Sequence, residues 1–195
     1  MKIGIDIDGV LNNQYAFCLE YGSKFCKEIG KYKIENPNAL DTTDIFLWDE
    51  NIAHQFWNQY REELVIKLPA KVFASEVIQM LKEEKNEIYI ITARKNEDEW
   101  YPKTMHGKVE SITKRWLKEN HISYDKIFFN VQEKGEFCKN NQIDIMIDDD
   151  PNNIKKLIGK THVIIFDYPY DRNTEFSKLT RAYSWYDIYN KIKNM

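Results

Sequence analysis

The chain has 195 residues, of which 43% are hydrophobic, 14% aromatic and 30% charged, and its net charge is −3. That length and balance describe one substantial folded domain, or a domain with a smaller insert, and exclude a disordered or fibrous chain. The acidic balance excludes a global basic field for nucleic acid, and no apolar run approaches the ~20 residues needed to span a bilayer.

In chain order, residues 2–7 read as a buried strand that runs into two aspartates, Asp6 and Asp8. An unpaired carboxylate is too costly to bury, so this strand end is expected to face a cation or a wet cleft. Gly9 permits a sharp turn there and brings backbone amides close to a ligand. Acidic groups, a tight turn and free amides together suit Mg²⁺ and a phosphate. Residues 13–68 read as helical and aromatic, with helices over 14–31 and 51–64. Between them lies an irregular segment, 33–49, punctuated by Asn36-Pro37-Asn38. After Pro69 the texture changes to helix 72–82, strand 88–92, helix 108–120, strand 127–129, a helix over 135–139, strand 143–147, helix 154–158, strand 163–166 and a helical C-terminus. Arg172 and Asn173, beyond the last strand, read as a turn or as part of a site edge.

Apolar strands alternating with helices predict an α/β fold, a Rossmann-like parallel sheet with helices on both faces. Ligands of such sheets bind at the carboxyl ends of the strands. Asp6, Thr92 and Asp148 all fall at such ends, and a helical insert placed directly after the first strand is expected to overhang that edge as a cap. The boundaries expected are 1–12 and 69–195 for the core and 13–68 for the cap.

Four elements carry chemistry. Asp6 and Asp8 come first. Thr92, followed by Ala93 and Arg94, can hydrogen-bond a phosphate oxygen without adding charge. Lys134, with Lys126 and Lys139 as competitors, supplies a cation to offset repulsion between phosphate and carboxylates. Asp148-Asp149-Asp150-Pro151 places three consecutive carboxylates after an apolar strand, which is unfavourable without a cation. Asp150 before Pro151 reads as a helix N-cap with proline at the first helical position, which leaves Asp148 and Asp149 for the metal. Cys18, Cys26 and Cys138 form no CxxC pair and read as reduced core thiols. His54, His106, His121 and His162 show no metal spacing. With the two aspartates interrupting the first apolar run, no secretory signal is read, and a cytoplasmic location is expected.

With these four elements in this order, the chain resembles the haloacid dehalogenase (HAD) superfamily of phosphohydrolases. Asp6-Ile7-Asp8-Gly9-Val10-Leu11 matches the first motif, Thr92 the second, Lys134 the third and Asp148-Asp149 the fourth. The resemblance implies that Asp6 attacks phosphorus and Asp8 is the general acid and base. It implies Mg²⁺ held by Asp6, the Asp8 carbonyl and Asp148 or Asp149, and phosphoryl oxygens held by Thr92, Ala93, Lys134 and the amides at Gly9. The cap (a C1-type insertion), the Asp-Gly-Val-Leu turn and the terse Ile-Asp-Asp fourth motif resemble the cytosolic type C 5′(3′)-deoxyribonucleotidases and their bacterial relatives. Ala93-Arg94 departs from the serine and proline that follow the threonine in the animal enzymes. The resemblance implies a small phosphate ester as substrate, a nucleoside monophosphate first, with neither nucleic acid nor membrane as partner. A homodimer is compatible with the chain.

A nucleotidase cap needs aromatic planes to stack a base. Phe46 and Trp48, in the irregular segment, are the first pocket candidates, with Trp57 and Arg94 beside them. Helix aromatics such as Phe56 and Tyr60 are assigned to the cap's own core. Two rivals keep the fold: a phosphatase of another small metabolite such as a sugar phosphate, and a phosphate-binding protein without catalysis. A receiver domain fails on the position of Lys134 and on the insert. A P-loop kinase fails because no GxxxxGK[ST] occurs.

Overall fold

A computed structural model describes residues 1–172 and 174–195; Asn173, part of the turn read after the last strand, lies outside the described residues. The strands are β1 (Lys2–Ile5), β2 (Glu87–Ile91), β3 (Lys126–Phe128), β4 (Ile145–Asp148), β5 (His162–Phe166) and β6 (Thr180–Ala182). They form one six-stranded sheet in the order β3-β2-β1-β4-β5-β6. Every neighbouring pair is parallel. The helices are α1 (Gln14–Ile29), α2 (Thr42–Phe46), α3 (Glu50–Glu62), α4 (Ala74–Glu83), α5 (Val109–Glu119), α6 (Lys134–Asn141), α7 (Pro151–Leu157) and α8 (Trp185–Lys193).

Side chains alternate across a strand, so each strand feeds two cores. Ile88, Ile90, Ile145 and Ile147 pack against Val77 and Leu81 of α4, Trp116 of α5 and Ile188 of α8. Tyr89, Ile91 and Met146 face the other way, onto Cys138 of α6 and Ile154 and Leu157 of α7. Strands buried on both faces read as continuous apolar runs, which is why the sequence exposes them. The β6 strand, Thr180-Arg181-Ala182, was not expected: it is an edge strand with two half-buried residues and no apolar run.

Between β1 and β2 the chain leaves the sheet to build α1, α2 and α3, and a π-helical turn, Glu63–Lys67, that extends α3. These helices close around a separate core that includes Phe17, Phe25, Phe46, Trp48, Phe56 and Tyr60. The outgoing and returning chains run side by side where Asn12 bridges Ala70 and the Lys71 amide donates to the Leu11 carbonyl at 2.7 Å.

Phe46 and Trp48 are corrected here. The segment expected to be irregular contains α2, which turns both rings inward. They stack on each other at 4.4 Å between centroids and 13° between planes, and both are buried. Gly22 of α1 makes room: a Cβ there would lie 2.3 Å from the Phe46 ring. These rings are insert core and line neither cavity described below.

Candidate active site

The sheet order changes direction at β1: β2 and β3 lie on one side, β4, β5 and β6 on the other. A parallel sheet opens a crevice at such a switch point, beyond the carboxyl ends of the strands. Asp6 follows β1, with its amide donating to the Ile147 carbonyl of β4 at 3.1 Å. Thr92 follows β2, tied to β3 by its amide at 3.0 Å from the Phe128 carbonyl. Asp148 ends β4 and Asp149 follows it. Backbone ladders thus fix the acidic residues before any side-chain contact is made.

Lys134, at the start of α6, is 1% exposed and reaches Asp6 at 2.8 Å and Asp148 at 2.7 Å. Its competitors Lys126 and Lys139 are exposed. Asp148 also accepts from the Asp150 amide at 3.1 Å and from Asn153 at 3.2 Å. Asp149 is different. Its Oδ2 accepts from the Tyr170 hydroxyl, and its Oδ1 is buried with no hydrogen-bond partner among the described residues. Asp150 caps α7 by accepting from the Asn152 amide at 2.7 Å.

Asp8 lines the same cavity as Asp6 but has different partners. Arg94 grips it with Nε at 2.8 Å and Nη2 at 2.6 Å, and the guanidinium reaches Thr113 of α5 at 3.3 Å. Asn12 donates to Asp8 at 2.8 Å. The Gly9 amide does not face the cavity as expected: it donates to Asn12 Oδ1 at 3.1 Å. Gly9 is required for a different reason. Its φ is +86°, and a Cβ there would lie 2.0 Å from Asp149 Oδ2, so only glycine lets the first and fourth motifs approach this closely.

Burial pushes the Asp6 carboxyl up to about 7, with Lys134 pulling the other way and Asp148 and Asp8 adding repulsion. Burial and the neighbouring Asp148 raise Asp149 well above the usual carboxylate range. For Asp8, burial is outweighed by the Arg94 guanidinium, and its carboxyl is held below its ordinary value. Burial opposes the charge on Lys134, but Asp148 and Asp6 outweigh it and keep the ammonium protonated. Among the described residues, Asp6 and Asp148 share Lys134 as their ion-pair partner, Asp8 has Arg94, and Asp149 has none. One carboxylate oxygen from each of Asp6, Asp148 and Asp149 lies within 4.8 Å of the other two. Hard oxygen donors, uncompensated negative charge and the orphaned Asp149 Oδ1 fit a hard divalent cation.

A cavity of about 230 Å³ opens over this cluster, where Asp6, Thr92, Ala93, Arg94 and Lys134 of the core face Gln14, Leu40 and Arg61 of the insert. A second, of about 380 Å³, shares Gln14, Leu40, Arg61 and Trp100 with it and adds Trp57. Arg61 lies 3.8 Å over the Trp57 ring and 5.0 Å from that of Tyr101. Trp100 stacks on His54 at 4.0 Å. Sequence reasoning brought Trp57 and Arg94 here and missed Arg61, Trp100, Tyr101, Asn12, Asn153 and Tyr170. An aromatic pair in the loop that follows Thr92 was the available signal for Trp100 and Tyr101. Arg172, offered as site edge, is exposed and pairs with Asp167.

The family described as "5' nucleotidase, deoxy (Pyrimidine), cytosolic type C protein" matches residues 1–195. A Bacillus cereus protein named "Putative nucleotidase" is 28% identical over 203 residues, covering 99% of this chain and 98% of its own. Among solved structures, a "predicted phosphatase" from Clostridium acetobutylicum superposes with a TM-score of 0.66 at 13% identity, covering 100% of this chain and 98% of that one. A HAD-superfamily hydrolase from Geobacter sulfurreducens superposes at 0.56 with 11% identity, covering 98% and 95%. At such identities the structural likeness shows the fold, which is that of HAD hydrolases.

Proposed function

The chain belongs to the cytosolic type C deoxy(pyrimidine) 5′-nucleotidase family and is a phosphoric monoester hydrolase, and we propose that it removes phosphate from nucleoside monophosphates, 5′(3′)-deoxyribonucleotides first, through an aspartyl-phosphate on Asp6. The observation that carries this reading is the division of labour between two carboxylates. Asp6 sits with Lys134, Asp148 and Asp149, while Asp8, two residues on, is held apart by Arg94 and Asn12.

Asp6 Oδ attacks phosphorus and the bond to the ester oxygen breaks; the proton the leaving oxygen needs enters with the monoanionic phosphate ester and is passed on through Asp8. Asp8 then takes a proton from water as that water attacks the phosphorus of the aspartyl-phosphate. The bond to Asp6 breaks, and phosphate leaves. Arg94 holds Asp8 as a carboxylate, the form the second half-reaction needs. Thr92 and the Ala93 backbone, at the cavity wall, hold phosphoryl oxygens, and Lys134 offsets their charge. Asp6, Asp149 and Asp148, with the Asp8 carbonyl, would hold Mg²⁺, which when bound offsets the charge of the transferring group.

The insert 13–68 acts as the cap that selects the substrate. The second cavity, with Trp57, Arg61 and Trp100 at its wall, is wide enough to continue the phosphate site toward a nucleoside. Stacking surface and planar donors suit a base; a sugar phosphate needs neither. The absence of a basic stripe and the charge of −3 keep polynucleotides out of the reading. No helix of the described residues is long and apolar enough to cross a membrane. Phosphate release from a panel of nucleoside 5′- and 3′-monophosphates, sugar phosphates and an aryl phosphate tests the reading, with Asp6→Asn as the blank. Selective turnover of deoxyribonucleotides supports it, and selective turnover of sugar phosphates overturns the substrate.

A further inference from the structure

Tyr170 belongs to none of the four motifs and takes no part in the reaction sequence above. It sits in a short turn, Pro169–Asp171, directly after β5. That turn is locked. The Asp171 carboxylate accepts from the Tyr168 amide at 2.8 Å and from Arg181 of β6, and Arg181 also donates to the Asp171 carbonyl at 2.9 Å. Tyr168 is pinned as well. Its hydroxyl lies 2.9 Å from the Gly9 carbonyl and accepts from Lys71. The two tyrosine rings stack at 5.1 Å and 10°, and Tyr15 of α1 meets Tyr170 edge-on at 5.7 Å. Tyr170 therefore reaches the site as a rigid arm with its hydroxyl on Asp149 Oδ2.

On its other side that same carboxylate rests against Gly9, where no Cβ fits. Asp149 is thus held by Tyr170 through Oδ2 with its carboxylate packed on Gly9, and Oδ1 is the atom left buried without a hydrogen-bond partner among the described residues. Asp148 is the reverse case: Lys134, the Asp150 amide and Asn153 already occupy both its oxygens.

We propose that Tyr170 is a positioning residue for the metal, holding Asp149 Oδ2 so that Oδ1 is aimed at a divalent cation, and that Asp149 rather than Asp148 is the closer fourth-motif ligand. This rests on the metal-dependent reading given above. Hydrogen-bonded partners of ligands fix their orientation, and losing one costs about 10–100-fold in metal affinity. Phenylalanine keeps the ring contacts with Tyr168 and Tyr15 and removes only the hydroxyl.

The test is calorimetric titration of the full chain with MgCl₂, wild type beside Tyr170→Phe, together with thermal unfolding of both in EDTA. The expected result is a Kd for Mg²⁺ raised about 10–100-fold in the variant, with an unfolding midpoint in EDTA close to that of wild type. Equal Kd values overturn the inference and leave the phosphatase reading standing. A variant that loses stability in EDTA and affinity together assigns Tyr170 a merely structural role and also overturns it. A wild type that binds no Mg²⁺ overturns the metal-dependent reading itself, and the wild-type arm alone reveals that. A second variant, Asp148→Asn, separates the ligands: it is expected to bind Mg²⁺ more tightly than Asp149→Asn, and the opposite order overturns the assignment.

Discussion

In the absence of a divalent cation, raising the pH should destabilise this protein, against the usual trend for carboxylate-rich folds. Asp6 is buried beside Asp8, Asp148 and Asp149, and its carboxyl rises from 3.8 to about 7. A carboxyl whose folded value is raised keeps the folded state more protonated than the unfolded chain. Its contribution is fully present below pH 3.8 and is lost as the pH climbs through about 7. A shift of roughly three units corresponds to about 4 kcal/mol, most of it lost between about pH 4 and pH 7. Asp149 shifts in the same direction for the same cause, and Asp171, raised by burial to about 6, adds to it. Asp8 has the opposite sign, but its lowered value acts at more acidic pH, outside this window. For a chain of this size, roughly 2–4 °C per kcal/mol converts the Asp6 contribution into a fall of about 10 °C in Tm. The assay is thermal unfolding in EDTA by circular dichroism across that range, repeated with saturating MgCl₂ and with Asp6→Asn. Mg²⁺ favours the ionised carboxylates, so it should abolish the fall, and Asp6→Asn should remove much of it. A Tm in EDTA that stays flat or rises from about pH 4 to pH 7 would refute the reasoning.

Further outcomes follow from the same geometry. Lys134→Met leaves Asp6 and Asp148 uncompensated in a buried site and should cost about 3–5 kcal/mol in the metal-free protein at neutral pH, measured by urea unfolding. Arg94→Lys keeps the charge but not the two-pronged grip on Asp8. It should lower kcat by up to about 100-fold, the cost of misplacing a catalytic group by about 1 Å, while KM changes little. Trp48→Ala should lose about 3–5 kcal/mol of stability yet retain the KM of the folded enzyme, because the ring is insert core. Trp100→Ala should raise KM for nucleoside monophosphates by about 10–100-fold, the worth of one base-stacking contact, and leave a small aryl phosphate unaffected.

The core was legible in the sequence because its central strands are buried on both faces, and two of them run into carboxylates that a buried strand does not otherwise tolerate, with a threonine after a third. Ile3 and Ile5 lead to Asp6, Ile90 and Ile91 to Thr92, and Ile145 to Ile147 to Asp148. The two long helices of the insert were legible too, and Trp57 was placed at the cavity, but the other aromatics were not sorted between core and cavity wall. Phe46 and Trp48 looked unburiable in a segment without a helical period, and a five-residue helix, α2, buries them. The cavity wall is built instead from Arg61 at the end of α3 and from Trp100 and Tyr101 in the loop before α5, residues far apart in the chain that only the fold brings together. Tyr170 was hidden for the same reason: nothing local distinguishes a tyrosine that reaches a carboxylate twenty-one residues earlier. Gly9 shows a subtler failure. The residue was singled out for its amide, but that amide donates to Asn12, and what requires glycine is the approach of Asp149.

The most direct test of the account is a single turnover of radiolabelled 4-nitrophenyl phosphate, whose leaving group needs no proton, with Mg²⁺ by the Asp8→Asn variant, quenched in acid and mapped by peptide. The account predicts nitrophenolate released once per site, with the phosphoryl group retained covalently on Asp6, because the residue that activates water for the second half-reaction is missing. Release of free phosphate with no adduct on Asp6, together with activity surviving in Asp6→Asn, would contradict it.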